Sequence, residues 1–132
     1  MKTLKIFYCI FPLVCVIGCG GGIPYKLVAL EGTASCNGEP IINMVISFTP
    51  VDGGKASVGY TDEQGTFVAL YNSDYLGVKA GDLTAIFLGP IEGMKTNEAG
   101  KKAMEKHGTV ETGVKITVKK PTKGYKLDVT SP

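Results

Sequence analysis

The chain of 132 residues contains no tryptophan, no arginine and a single histidine. Without arginine it lacks the planar two-pronged donor that suits phosphates and guanine edges, and no lysine cluster is interleaved with aromatics, so a nucleic-acid partner is not expected. His107 has neither a second histidine nor a cysteine pair to work with, so no metal, no cofactor and no hydrolytic triad are expected either. Charge is also scarce as a signal. Its 14 lysines face 12 acids, and loss of Lys2 and Lys5 with the segment described next would leave the remainder neutral.

Cysteine looks more plentiful than it is. Lys2 and Lys5 precede an apolar run from Ile6 to Ile17, the layout of a secretory signal and too short for the roughly twenty residues of a membrane span. Val16-Ile17-Gly18-Cys19 at its end resembles the lipobox of bacterial lipoproteins. That resemblance implies a signal peptide of residues 1–18, a diacylglyceryl thioether on Cys19, and acylation of the new N-terminus. The alternative is an ordinary signal that happens to contain Cys9 and Cys15. With two or three chains the anchor would be stable, whereas a single chain binds a bilayer only marginally. The lipid bilayer is then the one partner expected through Cys19, and the site a membrane of the cell envelope, outer membrane or cell surface ahead of inner membrane. Removal of Cys9 and Cys15 and modification of Cys19 leave Cys36 as the sole free thiol, expected to be a half-buried strand-end residue. Residues 19–25, with Gly20-Gly21-Gly22, read as a lipidated tether reaching on the order of 20 Å at about 3.4 Å per residue.

Residues 26–132 read as one domain rich in strands and turns. Apolar residues alternate at Met44, Ile46 and Phe48, at Ala56, Val58 and Tyr60, and at Phe67, Ala69 and Tyr71, which predicts three strands with one buried face each. Asp52-Gly53-Gly54 and Asp62-Glu63-Gln64-Gly65 fit tight connections between them. Leu27 to Cys36 predicts an earlier strand, closed by a turn at Asn37-Gly38, and Gly32 within it points to close backbone approach. Leu83, Ala85 and Phe87 on one face and Ile86 and Leu88 on the other predict a strand covered on both sides. Thr96 to Gly108 predicts a helix of about three turns, capped by Thr96 or Asn97, with a Glu98–Lys102 pair and a thin apolar stripe of Ala99, Ala103 and Met104. Val114, Ile116 and Val118, then Tyr125, Leu127 and Val129, predict a closing hairpin turned at Pro121-Thr122-Lys123-Gly124. Lys119, Lys120, Lys123 and Lys126 fit a solvated, pairing-resistant edge better than an anion site.

Leu30-Glu31-Gly32-Thr33-Ala34, Asn37-Gly38-Glu39-Pro40, Val45 to Pro50, Thr61 to Phe67 and Gly81 to Ala85 together resemble the carboxypeptidase regulatory-like, or transthyretin-like, domain. The resemblance implies an all-β, transthyretin-like or immunoglobulin-like sandwich of about seven strands, into which the helix near 96–107 is an insertion. Some transthyretin-like proteins are hydrolases dependent on histidines and arginine, a set this chain does not contain. Asp62 to Gly65 lacks the alternating oxygens of a calcium loop, and no carboxylate pair such as Asp62 and Asp74 is placed across a cleft by sequence alone. The expected function is a non-catalytic envelope lipoprotein that contacts a protein partner or acts as a spacer. A carbohydrate-binding module is the alternative, with Tyr71 and Tyr75 as candidate glycan contacts, while Tyr60 and Tyr125 also fit core positions. A hydrolase ranks third.

Overall fold

The computed structural model of the protein describes residues 25–130. Residues 1–24, on which the expected signal peptide, Cys19 and most of the expected tether fall, lie outside the described residues. The fold is all-β with one short helix. Its strands are β1 (Leu27–Val28), β2 (Leu30–Cys36), β3 (Glu39–Pro40), β4 (Met44–Pro50), β5 (Ser57–Tyr60), β6 (Thr66–Leu70), β7 (Val78–Lys79), β8 (Gly81–Pro90), β9 (Val114–Val118) and β10 (Thr122–Val129), with helix α1 (Glu98–His107) between β8 and β9.

Seven strands run in the order β10-β2-β6-β5-β4-β8-β9, while β3 pairs with β2 and the short β1 pairs with β7. The path curls into two layers because β6 turns the corner. Its residues Thr66 to Val68 pair with β2, whereas Ala69 and Leu70 pair with β5. Side chains from both layers then meet in a single core, in which Phe48, Phe67, Phe87, Leu30, Met44 and Ile46 are essentially solvent-free. This is the sandwich-like arrangement that alternating strands with bulky inward residues favour.

Local chemistry explains the connections. Asn37 and Gly38 both adopt positive φ, 55° and 85°, as a two-residue hairpin turn between β2 and β3 requires. Between β5 and β6 the Asp62 carboxylate accepts from Gln64 N and Thr66 N at 2.8 and 2.9 Å, so this acid is spent on a turn. Helix α1 starts where Asn97 Oδ1 accepts from Gly100 N at 3.1 Å. Thr96 Oγ1 donates to Ile42 O at 2.6 Å and Asn97 Nδ2 to Pro40 O at 2.7 Å, so the helix start is fastened to the segment between β3 and β4. Ala99 and Ala103 are buried against the sheets, which is how so thin a stripe docks a short helix.

Five expectations are corrected. The last two strands do not form a hairpin: β9 pairs antiparallel with β8, and β10 pairs parallel with β2 at the opposite end of the path. Thr122 N donates to Ala29 O at 2.8 Å, so the segment at Pro121 carries the chain across to the other layer. In β5 the inward residues are Ser57 and Gly59, so Val58 and Tyr60 face out and Tyr60 is 48% exposed. The reason is space: a Cβ at Gly59 would stand 3.2 Å from the rings of both Phe48 and Phe67. Leu88 is a bulge residue, because Val45 pairs with Gly89 and Ile46 with Phe87, and it is 55% exposed while Ile86 is buried. The ion pair at the helix start is Glu98–Lys101 at 3.6 Å rather than Glu98–Lys102, and with both side chains in solvent it contributes little. Cys36 is fully rather than half buried, and burial pushes its thiol above the ordinary value, which opposes nucleophilic use.

Candidate interaction surfaces

Tyr71 and Tyr75 stand at either end of the loop after β6, where Tyr71 N donates to Tyr75 O at 2.9 Å and Asn72 Oδ1 accepts from Tyr75 N at 2.9 Å. Their surroundings differ sharply. Tyr75 is 45% exposed, but Tyr71 is only 9% exposed. The Lys55 ammonium lies 4.7 Å from the centre of the Tyr71 ring and donates to the Tyr71 carbonyl. Tyr25 meets the same ring edge-on at 6.0 Å. The loop therefore offers one open tyrosine, not the paired platform that sugar stacking would use.

Tyr25 is a member of this cluster that sequence reasoning placed in the tether. Its hydroxyl is 3.0 Å from that of Tyr71 and accepts from Lys55 N at 3.2 Å, and its ring lies 4.8 Å beneath the Lys79 ammonium. Lys79 in turn donates to Gly53 O at 2.8 Å. An aromatic directly after a glycine-rich stretch and a proline is the only signal the sequence holds for this. Two lysines over two rings supply cation–π attraction, about 0.5–1 kcal/mol each at such half-open sites, and they pin the entry of the chain to the β4–β5 connection.

The Tyr25 hydroxyl bond, and then burial, raise the phenol of Tyr71 above the ordinary tyrosine value; burial alone raises that of Tyr125. A phenol with a raised folded value holds its proton more firmly folded than unfolded. Its contribution is therefore complete below the unfolded tyrosine range near pH 10 and is lost as pH rises through the folded value. Two late-titrating phenols are expected in an ultraviolet pH titration. Tyr25→Phe should make the Tyr71 phenol titrate earlier, with burial still holding it above the ordinary value, and leave that of Tyr125 unmoved; an unchanged Tyr71 titration would refute the hydrogen-bond assignment.

His107 closes α1, with Nδ1 2.7 Å from Thr112 O and its ring 6.4 Å from that of Phe87, so it fastens the loop after the helix. Among the described residues no group of three His, Cys, Asp or Glu side chains could hold a metal ion, and no helix is long and apolar enough to cross a membrane. Lys119, Lys120, Lys123 and Lys126 are all exposed around the start of the edge strand β10, as the solvated-edge reading requires.

Of the grooves on the described residues, two lie beside β8 and its neighbours. One of about 490 Å³ lies between β8 and α1, lined by Phe87, Leu88, Lys101, Met104, Glu105 and Gly108. The other, of about 470 Å³, is bounded by Leu83 and Ile116 on one layer and Tyr125 on the other, beside the edge strand β9. No protein-family model, no curated protein and no solved structure matches the chain. What the chain itself defines is a sandwich-like all-β domain with a helix packed on β8 and apolar groups such as Leu88 and Met94 left in solvent.

Proposed function

We propose that the chain is a lipid-anchored envelope protein whose β body acts as a non-catalytic structural or protein-interaction module, in the manner its resemblance to carboxypeptidase regulatory-like domains implies. The observation that carries the reading is a spacing. Cys19 ends the apolar run behind Gly18, and six residues later Tyr25 is held by Tyr71, Lys55 and Lys79. Between a thioether and a clamp, five residues leave the body within about 20 Å of the lipid surface, at about 3.4 Å per residue. A domain held that close is suited to contacts at the membrane face. Exposed Leu88 and Met94 near α1 supply apolar surface for a protein partner. The glycan-binding reading has less support, since Lys55 and Tyr25 cover the ring of Tyr71 and leave Tyr75 and, in the groove beside Tyr71, Tyr60 as separate open rings.

The test is fatty-acid labelling of the full chain in bacterial cells. The native chain should incorporate label and run at the mass expected after cleavage before Cys19, whereas Cys19→Ala should remain unlabelled and keep residues 1–18. Label retained in Cys19→Ala would overturn the anchor.

A further inference from the structure

We propose that β9 is a self-association edge, at which two copies of this chain pair antiparallel about Ile116 with Lys115 of each opposite Thr117 of the other. This rests on the reading of the body as an interaction module and names its partner, and it is independent of the lipid anchor.

The argument starts from the hydrogen-bond ladder. Strand β9 ends the path and pairs with β8 alone among the described residues. Asp82 O accepts from Val51 N at 3.0 Å, so the peptide groups of Asp82 point toward β4. Peptide direction alternates along a strand. Leu83 therefore bonds across to its partner Ile116, and on β9 it is Lys115 and Thr117 whose N–H and C=O groups face away from the sheet. Four main-chain groups are thus presented in one row, the template that a second strand completes.

The apolar–polar alternation of the strand reads the same from either end: Val114, Lys115, Ile116, Thr117, Val118. An antiparallel copy centred on Ile116 puts valine opposite valine and isoleucine opposite isoleucine on the inner face. On the outer face each lysine meets a threonine, so no like charges stand opposite. Beyond the strand the same register sets Lys119 opposite Gly113. The outer row would then run Asp82, Thr117, and Lys115 of the second copy. Asp82 Oδ1 already accepts from Thr117 Oγ1 at 2.7 Å, and Lys115 Nζ already reaches one strand over to Thr84 Oγ1 at 3.2 Å. Two strand spacings, about 9.6 Å, separate Asp82 from the lysine of the second copy, a span that an extended lysine and an aspartate close together. The charges are thus complementary twice over, once on each side of the two-fold axis.

The other edge is built to refuse a partner. β10 carries exposed Lys123 and Lys126 and a register shift between Thr122 and Tyr125. β9 has one lysine, drawn back over Thr84 in the free chain, and beside it the groove of about 470 Å³ presents the exposed Val51 and the half-buried Tyr125 to the incoming strand.

The test places a photo-crosslinking amino acid at Thr117 in the full chain, expressed in bacterial cells. The expected product has twice the mass of the chain, with the link mapped within residues 114–118 of the second copy. Lys115→Glu and Asp82→Lys, both at exposed positions, should each reduce it at least tenfold, and the combined variant should restore it. A link to a different polypeptide would overturn self-pairing while leaving an interaction module. Absence of the doubled product, or indifference to Lys115→Glu, would overturn the proposal itself.

Discussion

Replacing Gly32 by alanine is expected to unfold the domain or bring it close to unfolding. A Cβ at this position would lie 2.0 Å from Tyr125 O, 2.8 Å from its carbonyl carbon and 3.0 Å from its Cα. All three are backbone atoms of the paired strand, so no side-chain rotation relieves the clash. Either β2 or β10 must move, and the parallel register from Gly32↔Tyr125 to Cys36↔Val129 moves with it. Overpacking alone costs about 1–3 kcal/mol. Loss of the ladder, and of the burial of Leu127 and Val129 beneath it, takes the expected total to about 4 kcal/mol or more, set against the roughly 5–15 kcal/mol that separates folded from unfolded states. The comparison variant is Gly59→Ala. Its new methyl would meet ring atoms of Phe48 and Phe67 at 3.2 Å, groups that can give by a few tenths of an ångström, so about 1–2 kcal/mol is expected. Urea unfolding of the two variants decides the matter. A midpoint for Gly32→Ala no lower than that for Gly59→Ala would refute the account.

Gly32 also marks what sequence pattern could and could not convey. A glycine amid alternating apolar residues signals that some backbone comes near, and it does, but the identity of that backbone was hidden. Alternation at Val114–Val118 and again at Tyr125–Val129 is identical for a hairpin and for two strands in different layers, since each pattern reports a buried face and not a neighbour. The choice of layer was made by long-range contacts, Thr122 N to Ala29 O and Tyr125 over Gly32. β5 failed for a related reason. Val58 and Tyr60 are the larger apolar residues, so they took the inward phase on sequence, yet the inner space was already filled by two phenylalanine rings, and Ser57 and Gly59 are what fits. Where the inward residues were themselves bulky, as in β4 and β6, phase was legible at once. Turns were legible too, because Asn37-Gly38 and Asp62 act through their own backbone. Tyr25 was not: its partners Lys55, Tyr71 and Lys79 are all more than 25 positions away, and no periodicity joins them. The surface at β9 was half visible, as a strand, but that it ends the sheet follows only from topology.

The two rings that displaced Val58 from the core should be the costliest side chains to truncate. Phe48 and Phe67 come from different layers, are 0% and 1% exposed, and pack with ring centres 5.5 Å apart at a tilt of 31°. Either Phe→Ala change removes a buried aromatic and opens a cavity that its surroundings cannot fill, because Gly59 beside it has no side chain to move in. The expected loss is about 3–5 kcal/mol for each. The double variant should lose less than the sum, since each single variant already forfeits the ring–ring contact; a coupling of about 1 kcal/mol is expected for such a pair. Denaturant unfolding of the four-member cycle measures it, and strict additivity would show that the rings are buried independently of one another. Phe67→Ala should also carry the sharper local signature. It sits in β6 opposite Gly32, one residue before the corner where the strand passes from β2 to β5, so hydrogen exchange should rise in both layers at once. After Phe48→Ala the rise should be confined to β4 and its neighbours.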